Sequence, residues 1–251
     1  MVKYLDRKKR QDYILDLIIQ AYVEDGRPVS SEGLKDRFDL SFSSATLRNI
    51  MSELEGLGYL SHVHTSSGRV PTQEGFRYYI NFLMERQQKS SPQDMVSFID
   101  KSTGYIRELD DLLQEASRVI SNLTHYAGFS FLSDERDRLF FWGTHFILQE
   151  PEFEDIETLR NIFTAFEERM SFFRDFLETN LSQDIKVFIG DEIGLEDIRN
   201  CSLVLSSLGR PEMKRRAFLG ILGPIRMNYA LAISKLRMLK DYIEEEFSDR
   251  I

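Results

Sequence analysis

This chain has a single cysteine, no apolar run long enough to cross a bilayer, and none of the residue spacings that mark a known catalytic centre. Each shortage closes off a class of function. Cys201, standing alone, can form neither an intrachain disulfide nor a cysteine-based zinc site. No stretch approaches the roughly 18 apolar residues of a membrane span. The start, Met1-Val2-Lys3-Tyr4-Leu5-Asp6, lacks the apolar core of a secretory signal, so a cytoplasmic protein is expected. Neither G-x-S-x-G nor H-E-x-x-H occurs, so no enzyme is expected. Gly220, Gly223 and Pro224 ahead of Arg226 fit neither G-x-G-x-x-G nor a P-loop. They read as a tight turn, with Arg226 and Tyr229 structural or pocket-lining. His62 and His64 lie two apart on a strand with no third ligand nearby, so neither metal nor cofactor is expected.

What is there is an ordinary globular composition, with 42% hydrophobic and 29% charged residues over 251 positions. That is enough for one large domain or two modest ones. The net charge of −9 argues at first against nucleic acid. Its distribution reverses that impression. Residues 1–89 hold 13 Lys and Arg against 12 Asp and Glu, and the remaining 162 hold 19 against 29. A nearly neutral N-terminal part can still present a basic face to phosphates, because local potential decides contact. The acidic remainder suits a sensing or oligomerising domain.

Ile14, Leu15, Leu17, Ile18, Ala21 and Tyr22 define a first helix over 6–24, with Arg7, Lys8, Lys9 and Arg10 in its opening turns. Those cations are either a solvated face or phosphate contacts. Gly26 and Pro28 end the helix. Ser30 or Ser31 caps a short second helix, and Asp39-Leu40-Ser41 turns the chain. Ser43 starts a third helix whose buried stripe is Leu47, Ile50, Met51, Leu54 and Leu57. At about 100° per residue, Ala45, Asn49 and Ser52 fall on the opposite face, flanked by Thr46 and Arg48. Small residues there let a backbone sit deep in a major groove, where Asn pairs with adenine and Arg with guanine or phosphate. Alone, this is equally a capped surface helix.

The segment behind it favours DNA. Gly58 stops the helix, Tyr59 to Val63 alternates like a strand, and Thr65-Ser66-Ser67-Gly68 is turn chemistry, with Gly68 supplying positive φ. Val70-Pro71 returns as an edge strand. Arg69, at the hairpin tip, is placed to meet a phosphate or a minor groove. Helix, turn, helix and hairpin together give a winged helix-turn-helix. The expected DNA-binding residues are Ser43, Ser44, Ala45, Thr46, Arg48, Asn49 and Ser52 on the helix, and His64, Thr65, Ser66, Ser67, Gly68 and Arg69 in the wing.

Thr72 caps a further helix with Phe76, Tyr79, Ile80 and Leu83 inward, and Gln87 to Pro92 reads as a linker. Residues 93–126 carry one long apolar stripe suited to helix or dimer packing. Beyond it, strands are expected at Gly128–Leu132, Leu139–Trp142, Ile185–Gly190, Cys201–Ser206 and Ala217–Leu222. Helices are expected over Phe153–Asn180 and from about Arg226 to Phe247. Glu150, Glu152, Glu154 and Asp155 read as acidic residues favouring a helix dipole. The class is α+β, with a sheet and helices against it.

Two separated stretches are similar to the heat-inducible transcription repressor family HrcA. The first runs from Ser43-Ser44-Ala45-Thr46-Leu47-Arg48-Asn49 through His64-Thr65-Ser66-Ser67-Gly68-Arg69-Val70-Pro71-Thr72 to Gly75-Phe76-Arg77-Tyr78-Tyr79. The second comprises Pro151-Glu152-Phe153, Val187 to Glu192, Cys201-Ser202-Leu203-Val204 and Leu219 to Tyr229. Only about twenty residues separate Phe131 from Pro151, where the family carries strands of a GAF-like domain and an inserted dimerising domain.

The resemblance implies a winged helix-turn-helix over 1–88, a connecting helix over 89–125 and a reduced GAF-like regulatory and dimerisation domain over 126–251. It also implies a homodimer that represses chaperone operons from an inverted-repeat operator on double-stranded DNA. Release on heat stress and modulation by the chaperonin belong to the same expectation. A two-fold operator is what helix-turn-helix geometry calls for. The competing expectation is a winged-helix regulator controlled by a small molecule in its C-terminal domain.

Overall fold

Apolar residues three and four apart wind the N-terminal third into helices. The computed structural model describes residues 6–63, 68–85, 108–168, 170–181, 185–209 and 216–246. The chain divides into two units, Met1–Gln87 and Gln88–Ile251.

In the first unit, α1 (Arg7–Asp25) is capped by the Asp6 carboxylate, which accepts the Lys9 amide at 2.9 Å. It buries Ile14, Leu15, Leu17, Ile18, Ile19 and Ala21, and it ends where Gly26, at φ 64°, donates its amide to the Tyr22 carbonyl. Ser30 caps α2 (Ser31–Arg37) through the Gly33 amide. A turn through Asp39, at φ 45°, leads to α3 (Ser44–Gly56). Leu47, Ile50, Met51 and Leu54 of α3 are buried as expected, each such side chain being worth about 1.5–3 kcal/mol of transfer. Leu57 is not. The helix ends at Gly56, so Leu57 drops out of the stripe as the C-cap residue and stays 54% exposed.

The hairpin follows as β1 (Leu60–His62) and β2 (Arg69–Pro71), antiparallel with Ser61 opposite Val70. Thr72 Oγ1 then donates to the Gly58 carbonyl at 2.6 Å and accepts the Gly75 amide at 3.0 Å, which starts α4 (Gln73–Glu85) against the hairpin. Gly75 allows that contact, since a Cβ there would lie 2.2 Å from the Tyr59 carbonyl oxygen.

The expected linker at Gln87–Pro92 and the expected helix before residue 108 lie outside the described residues. The rest of that helix, α5 (Leu109–Thr124), packs on a five-stranded antiparallel sheet. The strands are β3 (Ala127–Ser133), β4 (Arg138–Trp142), β5 (Lys186–Ile189), β6 (Cys201–Leu208) and β7 (Arg216–Pro224), in the order β4-β3-β7-β6-β5. A short helix, α6 (Thr144–Ile147), follows β4. The single helix expected over Phe153–Asn180 is two, α7 (Ile156–Glu168) and α8 (Met170–Asn180). The last helix, α9 (Tyr229–Glu246), begins three residues later than expected because Pro224 to Met227 forms a turn.

Alternation assigns the two sheet faces different partners. Phe129, Phe131, Leu203, Leu205, Phe218 and Leu222 join Ile162, Ala165, Phe166, Phe173 and Leu177 in one core. The opposite face is serine-rich and meets α5 and α9. Ser130 Oγ donates to the Leu113 carbonyl at 2.6 Å and contacts Ser117 Oγ at 2.8 Å. Ser202 Oγ and Tyr229 Oη lie 2.7 Å apart. Buried hydroxyls are tolerated there because each has a hydrogen-bond partner.

Candidate nucleic-acid interface

The site is built on α3. Ser43 Oγ accepts the Thr46 amide at 3.1 Å and lies 2.8 Å from Thr46 Oγ1, so two of the expected site residues form the N-cap. The stripe that packs Leu47, Ile50, Met51 and Leu54 inward turns Ala45, Arg48, Asn49 and Ser52 to solvent. Ser44 and Thr46 are half-buried at the edge of that face. Among the described residues, no ion pair holds Arg48.

His64, Thr65, Ser66 and Ser67, expected at the wing tip, lie outside the described residues. The two residues after them are described, and both differ from expectation. Gly68 does not adopt positive φ. Its requirement is space: a Cβ would sit 2.7 Å from Pro28 Cβ and 2.8 Å from the Pro28 carbonyl carbon. The closeness follows from an antiparallel bridge in which Val29 and Arg69 exchange both backbone hydrogen bonds, at 2.8 and 2.9 Å. His62 Nδ1, 3.2 Å from the Gly68 carbonyl oxygen, closes the hairpin from the other side.

Arg69, expected at the tip, is the first residue of β2. Its side chain is 12% exposed and lies along α3, with Nε donating to Glu55 Oε2 at 2.8 Å and Nη2 donating to Ser52 Oγ at 3.1 Å. The hairpin and α3 are therefore fastened to each other through one guanidinium. The sequence reading missed Glu55. Its spacing of three from Ser52 was the available signal, since residues i and i+3 share a helix face.

A parallel arrangement holds α1. Arg7 donates to both oxygens of Glu53, at 3.2 and 3.0 Å, and Gln11 Nε2 donates to Glu53 Oε2 at 2.7 Å. The Gln11 hydrogen bond, and then the Arg7 bond, lower the Glu53 pKa. Lys8 and Lys9 remain exposed and Arg10 half-buried. Behind this edge, Leu57, Leu54 and the stacked rings of Tyr59 and Tyr78 line a cavity of about 400 Å³ together with Arg7 and Lys8. Burial, then the hydrogen bond to Asp12, pushes the Tyr78 hydroxyl up to about 12.

In the second unit, Glu150 and Glu152 do not serve a helix dipole. They grip Arg226, with Nη2 2.7 Å from Glu150 Oε2 and Nε 2.5 Å from Glu152 Oε1. Asp155 does take the expected role, accepting the Thr158 amide at 2.9 Å at the start of α7. Tyr229 Oη donates to the Ile225 carbonyl at 2.6 Å, so Arg226 and Tyr229 are structural, as the sequence allowed. Among the described residues no cluster of His, Cys, Asp or Glu suits a metal ion, and no helix is long and apolar enough to cross a membrane.

A family model described as the HrcA protein C terminal domain matches residues 129–233, which is the sheet unit from β3 into α9. A heat-inducible transcription repressor HrcA from Symbiobacterium thermophilum is 25% identical over 335 aligned positions, covering 94% of this chain and 97% of that protein. The chain is thus similar to HrcA proteins, to the family model over the sheet unit and to the Symbiobacterium protein over nearly its whole length. An HrcA from Pediococcus pentosaceus is 37% identical over 129 residues, or 51% of this chain and 37% of that protein. The alignment to the Symbiobacterium HrcA is longer than this chain, so that relative carries segments without a counterpart here. A solved structure described as a hypothetical protein at 2.2 Å resolution shares the fold, with a TM-score of 0.80 at 19% identity over 96% of this chain and 99% of that one.

Proposed function

We propose that this chain is a cytoplasmic, heat-inducible transcription repressor that binds double-stranded DNA as a homodimer. Residues 1–88 act as a winged helix-turn-helix, 89–125 as the connection, and 126–251 as a reduced GAF-like domain that holds the dimer. The observation that carries the reading is the split of α3. One face is packed into the unit, and the other presents Ala45, Arg48, Asn49 and Ser52 to solvent from a capped N-terminus. The names of the relatives, heat-inducible transcription repressors, supply the biological setting.

In this reading α3 enters the major groove. Arg48 and Asn49 read base edges, the N-terminal amides near Ser43 and Ser44 meet phosphates, and the segment from His64 to Arg69 follows the backbone. Two copies read the halves of an inverted repeat upstream of chaperone genes. Heat loosens the C-terminal domain, misaligns the two heads and lowers affinity. Assistance from the chaperonin in regaining the active form fits the same cycle.

The test is selection of bound duplexes from random DNA at two temperatures, followed by gel-shift titration of Arg48→Ala and Asn49→Ala on the selected sequence. Each variant should lose about tenfold or more in affinity, in line with one bidentate base contact, while the melting temperature stays within a degree or so of wild type. Recovery of no inverted repeat, or unchanged binding by both variants at fixed salt, would reject the reading.

A further inference from the structure

The contacts of Arg69 carry an inference about how binding is made conditional on sequence. Arg69 is the wing residue expected to meet phosphate, yet its guanidinium rests on Glu55 and on Ser52, a residue of the exposed reading face. A carboxylate is the closest side-chain mimic of a phosphate oxygen pair, and arginine binds both with the same planar fork. We propose that Glu55 is a specificity-determining residue: it holds Arg69 in an internal stand-in for the phosphate contact and releases it only when α3 is seated in its groove. This rests on the reading of α3 and β2 as DNA-facing.

The geometry explains why release depends on seating. Glu55 and Ser52 lie on α3, whereas Arg69 lies on β2, so the bond that holds Arg69 spans the two elements that straddle a groove edge. In a loose complex on random DNA, α3 stays out of the groove. Arg69 then keeps its carboxylate, and the protein makes one phosphate contact fewer. When α3 docks, phosphate approaches Glu55, and like-charge repulsion favours handing the guanidinium over. Ser52 Oγ is freed in the same step and becomes available to a base or phosphate. The pair opens to solvent on the Glu55 side, which is 35% exposed, while Arg69 is 12% exposed, so the guanidinium leaves its carboxylate only for another anion that replaces the contact.

The experiment measures salt dependence on two duplexes, the selected operator and a random sequence, with the full-length protein. In Glu55→Gln, Arg69 is free to join the loose complex. The log–log salt slope on random DNA should steepen by about 0.9, and affinity there should rise about fivefold at 0.15 M salt. The operator slope should stay at its wild-type value, so the specificity ratio should fall by that factor. In Arg69→Ala the operator slope should become shallower by about 0.9, with binding to random DNA unchanged. Adding Arg69→Ala to Glu55→Gln should abolish the gain.

A Glu55→Gln slope equal to wild type on random DNA would overturn the proposal. So would a gain that survives loss of Arg69, or an Arg69→Ala loss that is the same on both duplexes. If Glu55→Gln does not fold, the single Arg69→Ala variant still decides. Failure of the wild-type protein to bind any duplex would instead reject the DNA-binding reading itself. A wild type that selects an operator while the variants behave uniformly rejects only the role of Glu55.

Discussion

Gly68→Ala tests the tightest backbone approach in the hairpin. A Cβ at this position would meet Pro28 at 2.7, 2.8 and 2.9 Å, through its ring Cβ, carbonyl carbon and oxygen. None of those atoms is the end of a flexible side chain, so the backbone of one strand must yield. The bridge next to it, Val29 to Arg69, has two hydrogen bonds to lose. At about 1 kcal/mol net for each bond, the loss is about 2 kcal/mol. Against this, replacing glycine removes about 0.4–1 kcal/mol of unfolded-chain entropy. The balance is a destabilisation of about 1–1.5 kcal/mol. For a unit of this size that corresponds to a fall of roughly 5–10 °C in its melting temperature. Differential scanning calorimetry on the full chain reads the shift, and hydrogen exchange at the Val29 and Arg69 amides locates it. Gly58→Ala is the informative control, because Gly58 sits at φ 80° with open space around it. Its cost is left-handed strain of about 1–2 kcal/mol and should leave the Val29 amide protected. A Gly68→Ala protein that melts as wild type, with the Val29 and Arg69 amides as protected as before, would refute the argument.

Two further perturbations separate roles that overlap in one side chain. Ser43→Ala should cost about 1 kcal/mol through the lost cap, whereas Ser43→Asp should keep the cap and stability but weaken DNA binding by placing a carboxylate against phosphate. Equal DNA affinity of Ser43→Asp and wild type in a gel shift would argue against that end of α3 facing DNA. Burial raises the Glu150 carboxyl above its ordinary value near 4.5, more than Arg226 lowers it. Its folded pKa therefore exceeds its unfolded one, the folded state holds the proton longer, and stability falls as pH rises through the interval above 4.5. Glu150→Gln should flatten the melting temperature across that interval, and an unchanged slope would remove Glu150 as its source.

The helices and strands were legible wherever a period ran unbroken against one partner layer. Ser43 as a cap, the buried run of α3 and the five sheet strands all follow from spacing and side-chain type. The failures share a cause, which is that the deciding neighbour is distant in sequence. Gly68 looked like a turn glycine because nothing local points to Pro28. Glu150 and Glu152 looked like helix-dipole residues because Arg226 lies across the fold. Arg69 looked like a free tip cation because its partner is on another element. Leu57 fitted the helical period, but the period says nothing of where the helix ends. The wing tip itself, His64 to Ser67, lies outside the described residues.

The strand order β4-β3-β7-β6-β5 has a consequence for the order of events in synthesis. The first unit is closed on itself by contacts of its own, such as Arg7 with Glu53 and Tyr78 with Asp12, and needs nothing from the sheet to form them. The sheet is different, because β3 has β7 as its inner neighbour and β7 is the last of its five strands to be made. Until β7 arrives, Phe129 and Phe131 have no Gly220 or Phe218 beside them, and the aromatic face that joins Phe166 and Phe173 stands open to water. A freshly translated chain thus carries a finished head on an unfinished body. Closure of β3 on β7 waits for that last strand, and non-local pairings of this kind are as a class slow and aggregation-exposed.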